Sequence, residues 1–327
     1  MAPDPIRWGI LGTAGIAESA FLPALAEAGG GEAVVVGGRD GARAGSWAAE
    51  HGVAHGVEGY ATVLEDPEIE AVYVPLPNGL HAEWTIAALE AGKAVFCEKP
   101  LCSTPEETTA VLDVAAAASA PLWEAFVFPF HEQMTRAVAL LGDGAIGEVR
   151  EIVSRFHFQL DDPEDVRLLA ALSGGATQDV GCYPVRLARL LFDAEPDLAQ
   201  TIAGATWGEG VDLELWGTLV FDADRRLHLS CGFRSEYDTL TRVLGTEGEL
   251  RMTNPFHPEP GDTLVVLREG ETIESGVAAP SGERSFTPAI RHIHAALRGL
   301  ESPAHLAVAE AAGNAHAISA LLDAAGR

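Results

Sequence analysis

Residues 6–17 read IRWGILGTAGIA, a short apolar run followed by a glycine-rich turn and the first residues of a helical pattern. Glycines in such a turn let the backbone approach a pyrophosphate, which is held at the N-terminus of the following helix. The pattern G-x-G-x-x-G/A is incomplete, because Ala14 stands where the second glycine is expected. The stretch predicts a dinucleotide-binding turn, and the alternative is a glycine-rich turn that binds no ligand. The predicted cofactor-binding residues are Gly12, Thr13, Ala14, Gly15 and Ile16.

The end of the second predicted strand bears on the choice of dinucleotide. It reads Gly37-Gly38-Arg39-Asp40, with no acidic residue at the strand tip to accept hydrogen bonds from a ribose 2′-hydroxyl. The guanidinium of Arg39 can instead bind a 2′-phosphate through two hydrogen bonds. The sequence therefore predicts NADP, while Asp40 leaves NAD possible. The alternative is that Arg39 and Asp40 form an ordinary solvated turn.

Short apolar strands alternate with helical patterns through the first third of the chain. This alternation predicts βαβ units around a parallel sheet. Thr104 and Glu107 have the spacing of a capping box at the start of one helix. The predicted strands are Ile6–Leu11, Ala33–Gly37, Ala71–Val74 and Ala94–Cys97, and the predicted helices are Ile16–Ala28, Ala42–Glu50, Ala82–Ala91 and Pro105–Ala118.

The pattern changes near residue 122. A helical stretch up to Leu141 precedes segments that alternate apolar and polar residues, which is typical of an antiparallel sheet with one polar face. We therefore predict an α/β fold with a dinucleotide-binding domain over residues 1–122. Residues 123–327 are predicted to form a substrate-binding and oligomerisation domain of the α+β class, with a large, mostly antiparallel open sheet. The alternating segments are Val149–Phe158, Leu213–Phe221, Arg226–Phe233 and Thr241–Leu244, and the helical tail is Phe286–Ala325, interrupted around residues 299–303.

Composition restricts the partners and the location. The 48 acidic and 21 basic residues give a formal net charge of −27, so most of the surface would repel a nucleic acid or an anionic membrane. The four cysteines lack metal-ligand spacing and the density of a disulfide scaffold, and the His51 and His55 pair has no evident carboxylate partner. Neither a signal peptide nor an apolar membrane span is evident. We expect a cytoplasmic protein without a metal, a nucleic-acid partner or a membrane partner.

Five further stretches carry a family resemblance. They are residues 71–81, AVYVPLPNGLH; residues 91–101, AGKAVFCEKPL; residues 144–149, GAIGEV; residues 174–184, GGATQDVGCYP; and residues 243–248, VLGTEG. Together with the first turn, they closely resemble the Gfo/Idh/MocA oxidoreductases. Tyr183 stands where many members have His, which is similar to the branch containing glucose-fructose oxidoreductase, dimeric dihydrodiol dehydrogenase and D-xylose dehydrogenase. The resemblance implies a Rossmann parallel sheet, a nicotinamide cofactor and a dimer that packs open sheet faces together.

The predicted catalytic residues are Lys99, Asp179 and Tyr183. An ammonium at the carboxyl end of a parallel strand, as predicted for Lys99, can stabilise negative charge on a carbonyl oxygen. The resemblance implies a cis bond between Lys99 and Pro100. Asp179 and Tyr183 lie four residues apart and share one face if a helix begins there, which makes Tyr183 the proton donor or acceptor. The alternatives are a solvated lysine, a helix-capping aspartate and a tyrosine packed in the core.

The family motifs also imply secondary contacts. Leu76, Asn78, His81, Glu98 and Lys99 are predicted to contact the cofactor, although a lone histidine at a helix start could equally be a cap or a surface group. Relatives commonly carry Arg at the position of Pro129 and Pro at that of Glu132, so the resemblance does not by itself assign a particular family substrate to this chain. Arg167 and His157 are either pocket or structural residues.

The sequence therefore predicts an NADP-dependent oxidoreductase. It would transfer a hydride between the nicotinamide and a carbinol or carbonyl carbon of a sugar, polyol or related cyclic diol. The first alternative is a ketoreductase that acts on a nucleotide-linked sugar. The alternatives from other classes are a catalytically silent NAD(P)-binding regulator and an NAD-dependent glycosidase.

Overall fold

The first apolar run forms the strand β1 near the centre of a six-stranded sheet in the computed structural model, which describes residues 4–222 and 224–327. All five strand pairs of this sheet are parallel, and the strand order is β3-β2-β1-β4-β5-β6. This order reverses between β1 and β4, and ligands of open α/β sheets bind beyond the carboxyl ends of the strands at such a point. The strands are β1 Ile6–Leu11, β2 Gly31–Gly38, β3 His55–Glu58, β4 Ala71–Val74, β5 Ala94–Cys97 and β6 Leu122–Glu124.

A second, larger sheet lies in the later part of the chain. Its order is β15-β14-β13-β12-β7-β10-β9-β8, with β11 pairing with β7, and its pairs are antiparallel except for β7 with β10. Along β7 the buried residues Ile152, Ser154 and Phe156 alternate with more exposed ones such as Arg155, so one face is covered and the other is open. These strands are β7 Val149–Gln159, β8 Ile202–Trp207, β9 Asp212–Val220, β10 Arg226–Gly232, β11 Arg234–Asp238, β12 Thr241–Gly245, β13 Glu249–Met252, β14 Thr263–Arg268 and β15 Glu271–Val277. The predicted fold class is confirmed.

The described residues also form nine α-helices. In chain order they are α1 Leu22–Ala28, α2 Gly41–His51, α3 Tyr60–Glu65, α4 His81–Glu90, α5 Pro105–Ala117, α6 Glu132–Gly142, α7 Cys182–Phe192, α8 Thr287–Leu297 and α9 Ala307–Ala324. None of them combines the length and apolar character needed to cross a bilayer. A π-helical turn precedes α1 at Ala17–Phe21, and another precedes α7 at Thr177–Gly181.

The chain divides into two compact units. One comprises the chain up to Val127 together with Glu283–Ala312, and the other comprises Phe128–Gly282 together with Gly313–Arg327. The parallel sheet lies in the first unit and the large sheet in the second. The segment that carries α8 therefore belongs with the parallel sheet, whereas the predicted range 123–327 included it. The assignment of cofactor binding and substrate binding to the two predicted ranges stays a prediction.

Two local details differ from the sequence expectations. The helical stretch expected to run up to Leu141 begins as a 3-10 turn at Phe128–Phe130, and α6 starts only at Glu132, where the His131 ring accepts from the Gln133 N–H. At α5 the Thr104 hydroxyl accepts from the Glu107 N–H at 3.1 Å, as the capping box predicts. The Glu107 carboxylate, however, accepts from the N–H of Ser103 and not from that of the cap residue.

Candidate active site

The turn after β1 is shaped by two glycines. Gly12 has φ +106°, its N–H donates to the Gly37 carbonyl at 2.8 Å, and a Cβ there would lie 3.0 Å from the Leu76 side chain. At Gly15 a Cβ would meet nothing within 4 Å. Ile16, a large apolar residue, is 39% exposed at the start of the helical segment. The open backbone at Gly15 fits a bound dinucleotide phosphate, and Thr13 and Ala14 are half-buried within the same turn.

Arg39 and Asp40 have separate roles after β2. The Asp40 carboxylate accepts from the Arg43 N–H at 3.0 Å and caps the N-terminus of α2. Arg39 is exposed. Burial raises the pKa of the Tyr60 hydroxyl, and the charge of nearby Arg39 opposes that shift. Asp40 therefore serves as a helix cap. Arg39 is the exposed cation beside it that can bind an anion.

Glu98 and Lys99 follow β5 directly. The hydroxyl of Tyr73 on β4 donates to the Glu98 carboxylate at 2.6 Å, and the Lys99 N–H lies 3.3 Å from the other carboxylate oxygen. Glu98 is 9% exposed and Lys99 is half-buried. The Lys99–Pro100 bond is cis, as the resemblance implies. The buried carboxylate thus fixes the backbone from which the lysine side chain projects.

His81 joins the loop after β4 to the loop after β5. Its ring is fully buried, with Nδ1 2.8 Å from the Pro100 carbonyl oxygen and Nε2 2.7 Å from that of Leu76. Burial lowers the pKa of His81, and the Lys99 charge acts in the same direction. The neutral ring can donate to only one of these carbonyls at a time. His81 therefore lies between the two loops and donates to one of them at a time, and its direct contact with the cofactor stays a prediction, as do the contacts of Leu76 and of Asn78 in the turn Asn78–Leu80.

Asp179 and Tyr183 lie in the second unit, on consecutive turns of one helical segment. Asp179 is in the π-helical turn and Tyr183 is the second residue of α7, and π turns of this kind are frequent at functional sites. The Asp179 carboxylate accepts from the Arg167 Nε–H at 2.8 Å, and no side-chain cap bond is formed at either helix start. Arg167, one of the two residues left open by the sequence, is therefore the partner of Asp179.

The start of this helical segment is held by Asp212, which the sequence analysis missed. Asp212 is 2% exposed, and one of its carboxylate oxygens accepts from both the N–H and the hydroxyl of Thr177, at 2.7 and 2.6 Å. Gly175, with φ +119°, leaves room for the other oxygen, which would lie 2.3 Å from a Cβ at that position. Asp212 and Thr177 are 35 residues apart, so no local pattern could have indicated the contact.

Tyr183 is surrounded by aromatic rings of its own unit. The side chain is 5% exposed, and its ring centroid lies 5.3 Å from that of Phe156, 5.1 Å from that of Phe256 and 6.3 Å from that of Phe128. The Tyr183 hydroxyl lies 3.3 Å from Nε2 of His257, a residue that the sequence analysis also missed. The Tyr183 ring is thus buried among aromatic side chains with its hydroxyl next to an imidazole, and its catalytic role stays a prediction.

Three other residues named from the sequence have structural partners in this unit. The His157 ring hydrogen-bonds to the Ser230 hydroxyl at 2.9 Å. Pro129 is buried in the turn Phe128–Phe130, and Glu132 accepts from the Ser281 N–H at 3.1 Å. Within the described part of the chain, no group of three or more His, Cys, Asp or Glu residues is arranged to hold a metal ion.

Comparisons with known proteins identify the family of the chain. Residues 6–126 match the Gfo/Idh/MocA oxidoreductase family with its NAD-binding Rossmann fold, and residues 134–251 match the C-terminal domain of the same family. D-xylose 1-dehydrogenase (NADP(+)) 2 of Haloferax volcanii is 39% identical over 256 residues, which cover 78% of each chain. The dTDP-3,4-didehydro-2,6-dideoxy-alpha-D-glucose 3-reductase of Saccharopolyspora spinosa is 36% identical over 307 residues, which cover 92% of this chain and 91% of the relative.

A solved structure is similar over nearly the whole length. The 3-ketoreductase of Actinomadura kijaniata in complex with NADP and TDP-benzene has a TM-score of 0.89 and 30% identity, and the match covers 98% of both chains. The predicted resemblance is confirmed, and the chain belongs to the Gfo/Idh/MocA family of oxidoreductases.

Proposed function

We propose that this chain is an NADP-dependent oxidoreductase that transfers a hydride between the nicotinamide and a carbinol or carbonyl carbon of a sugar, a polyol or a related cyclic diol. The observation that carries the proposal is the arrangement after β5, where Tyr73 and the Lys99 N–H hold the buried Glu98 carboxylate and so fix the backbone of Lys99. It is supported by the NADP-linked xylose dehydrogenase and the NADP-bound ketoreductase among the relatives.

The residues after β1 and β2 support NADP as the cofactor. The turn Gly12–Ile16 would hold the pyrophosphate against open backbone, and Arg39 would bind the 2′-phosphate. Asp40 caps α2 through Oδ1, so one oxygen of the carboxylate that leaves NAD possible is already engaged. Leu76, Asn78, His81 and Glu98 would shape the remainder of the cofactor site, either by contact or by fixing its loops.

The reaction divides between the cofactor and three side chains. When bound, the nicotinamide supplies or accepts the hydride. Tyr183 exchanges the proton of the substrate hydroxyl, donating it during reduction and accepting it during oxidation. Lys99 polarises the substrate oxygen and stabilises the negative charge that develops there. Arg167 holds Asp179 in place, and Asp179 would orient the substrate hydroxyl through a hydrogen bond.

A second candidate within the same class is a ketoreductase for a nucleotide-linked sugar. It is favoured by the similarity over 92% of the chain to a dTDP-sugar 3-reductase and over 98% to a ketoreductase with bound TDP-benzene. A free-sugar dehydrogenase is favoured by the higher identity, 39%, to the xylose dehydrogenase, although that match covers less of the chain.

A substrate screen tests these candidates together. The chain would be incubated with NADP and D-xylose, D-glucose or a polyol, and with NADPH and a TDP-linked keto-sugar, while NADPH absorbance is followed. Net formation or consumption of NADPH supports the oxidoreductase, and the substrate that reacts selects between the candidates. Tight nucleotide binding without net turnover would favour a silent regulator, and release of the alcohol from an aryl glycoside without net turnover would favour a glycosidase.

Nucleotide preference is tested by fluorescence titration of NADPH and NADH. Arg39→Ala should weaken NADPH binding and leave NADH binding nearly unchanged, because only NADPH carries the 2′-phosphate that the guanidinium binds. Arg43→Ala is the matched control, since this neighbouring arginine contributes its backbone N–H to the α2 cap. Equal loss of both nucleotides in Arg39→Ala would contradict the assignment.

We also propose a cytoplasmic homodimer. The open face of the large sheet is the surface proposed to pair, and Trp216 on β9 is 59% exposed there. A reducing compartment is supported by the four cysteines, which are buried and form no disulfide bond with one another: Cys97, Cys102, Cys182 and Cys231. Light scattering of the purified chain measures the oligomeric state, and Trp216→Glu should shift a dimer toward the monomer. A wild-type chain that is monomeric at working concentrations would contradict the dimer.

A further inference from the structure

The polar contact that Tyr183 makes through its hydroxyl to His257 is not explained by packing. The ring of Tyr183 lies against Phe128, Phe156 and Phe256, whose carbon surfaces cannot exchange a proton. Nε2 of His257 lies 3.3 Å from the Tyr183 hydroxyl, and the two rings meet edge to face with centroids 5.4 Å apart. Catalytic hydrogen bonds are often this long before substrate binds.

His257 is held in place on both sides by its own loop. The Asn254 side chain donates to the His257 carbonyl at 2.6 Å and accepts from the His257 N–H at 3.1 Å. Asn254 is 6% exposed, so its side-chain amide is buried within the loop between β13 and β14. The neighbouring Phe256 stacks on Phe156 of β7, with an interplanar angle of 4° and centroids 5.5 Å apart. The imidazole is therefore presented to Tyr183 by a fixed backbone.

The His257 ring is half-buried, so it can contact both the Tyr183 hydroxyl and water, which are the two partners of a proton relay. A neutral imidazole donates a proton from one ring nitrogen and accepts one at the other, so it can pass a proton without changing its net charge. Histidine is the one side chain that does this near neutral pH, whereas a glutamine at the same place could form the hydrogen bond but could not pass the proton on.

We propose that His257 is a positioning residue that orients the Tyr183 O–H and relays its proton to and from water. This inference rests on the proposed function. During reduction, Tyr183 gives its proton to the substrate oxygen as the hydride arrives, the phenolate takes a proton from Nε2 of His257, and Nδ1 takes one from water, which releases hydroxide to the solvent. During oxidation, each of these transfers runs in the opposite direction. No additional oxidant or reductant is needed, because the hydride passes between substrate and nicotinamide.

The contact is tested first without turnover. In the 15N spectrum of the histidine-labelled full chain, the ring resonances of His257 are assigned by their loss in His257→Gln. Tyr183→Phe should shift those resonances, because it removes the hydroxyl and keeps the aromatic packing. The resonances of His228, whose ring hydrogen-bonds to Thr218, should stay in place. Unshifted His257 resonances in Tyr183→Phe would overturn the inference, whether or not a substrate is known.

The relay is then tested on the substrate found in the screen. His257→Ala and His257→Gln should both lower kcat by about tenfold or more, while KM and NADPH affinity change little. Added imidazole should restore part of the kcat of His257→Ala, an effect that a merely structural role would not produce. His228→Ala serves as the control for a histidine substitution on the same sheet. Normal kcat in His257→Gln, or no rescue by imidazole in His257→Ala, would overturn the relay.

The two proposals can fail separately. If the wild-type chain turns over no substrate in the screen, the proposed function fails, and the spectrum of Tyr183→Phe still decides whether His257 and Tyr183 form a pair. If the wild-type chain is active and the His257 variants match it, the relay fails and the oxidoreductase stands.

Discussion

At the scale of single residues, the ion pair between Arg167 and Asp179 decides how Asp179 can act. The Arg167 Nε–H donates to Asp179 at 2.8 Å, a second pair joins the guanidinium to Asp165 at 3.2 Å, and the same guanidinium lies over the Phe158 ring. Asp179 is the main cause of the raised pKa of Arg167, and Asp165 adds to it. The carboxylate of Asp179 is thus paired with a guanidinium and turned in one direction, which is what orienting a substrate hydroxyl requires.

Loss of the ion pair between Arg167 and Asp179 should lower kcat/KM more than it lowers the affinity for the cofactor. Arg167→Gln is expected to lower kcat/KM about tenfold, since one charge-assisted hydrogen bond is lost from a guanidinium that is partly screened by solvent. NADPH affinity should stay near that of the wild type. Steady-state kinetics and a nucleotide titration measure the two effects, with Arg234→Gln, which removes an exposed pair with Glu214, as the control. An unchanged kcat/KM would show that Asp179 does not depend on its arginine.

At the scale of elements, the helical segment with Asp179 and Tyr183 is anchored to the first residue of β9. Asp212 accepts two hydrogen bonds from Thr177 while buried, and Gly175 makes room for its carboxylate. Burial raises the pKa of Asp212, and the bonds from Thr177 oppose that shift. A buried acceptor of this kind is costly to lose, because the donors it leaves cannot all reach water.

Removal of the anchor should therefore destabilise the chain. Asp212→Ala is expected to lower the free energy of unfolding by about 2 kcal/mol, since it leaves the N–H and the hydroxyl of Thr177 without their acceptor. Thr177→Val removes only the hydroxyl bond and should cost about 1 kcal/mol. Denaturant unfolding of the full chain gives both values. Equal losses in the two variants would mean that the backbone N–H bond contributes nothing measurable.

The elements also show what the sequence could and could not indicate. The bounds of β1, β4 and β5 were predicted to the residue, because buried parallel strands are continuous apolar runs between clear turn residues. The strand β3, which reads HGVE, was missed because its existence depends on pairing with β2 and not on an apolar pattern. His257 was missed for a similar reason, since it meets Tyr183 across 74 residues of chain. A motif identifies residues that lie close together in the chain. Contacts between distant elements can be identified only once the fold is known.

At the scale of the whole molecule, the net charge of −27 complicates any study of stability against pH. As the pH falls, protonation of carboxylates relieves their mutual repulsion, while the loss of individual ion pairs acts in the opposite direction. The effect of one histidine can be isolated only by comparing two chains that carry the same 48 acidic residues. His294 on α8 is suited to this, because its ring has a defined partner on each side.

The His294 ring is buried in the unit of the parallel sheet. Its Nε2 accepts from the Trp8 indole N–H at 3.0 Å, so its Nδ1 carries the proton and donates to the Gly29 carbonyl at 2.9 Å. The imidazolium could not accept from Trp8. Burial lowers the pKa of His294, the Arg298 charge acts in the same direction, and the bond to Gly29 opposes them. The folded chain therefore holds this ring neutral at a pH where the unfolded chain protonates it.

The contribution of neutral His294 should be fully present above about pH 6.5, the ordinary histidine value, and should decline as the pH falls from there toward the lowered pKa of the folded state. The free energies of unfolding of the wild type and His294→Gln, measured by denaturant titration at a series of pH values, should differ most above that point. Below about pH 6.5 the difference in free energy of unfolding between the two chains should become smaller, because only the wild type has this histidine to protonate on unfolding. A difference that stays constant or widens on acidification would mean that folding does not lower the pKa of His294, and the bond from Trp8 to Nε2 would then have to be abandoned.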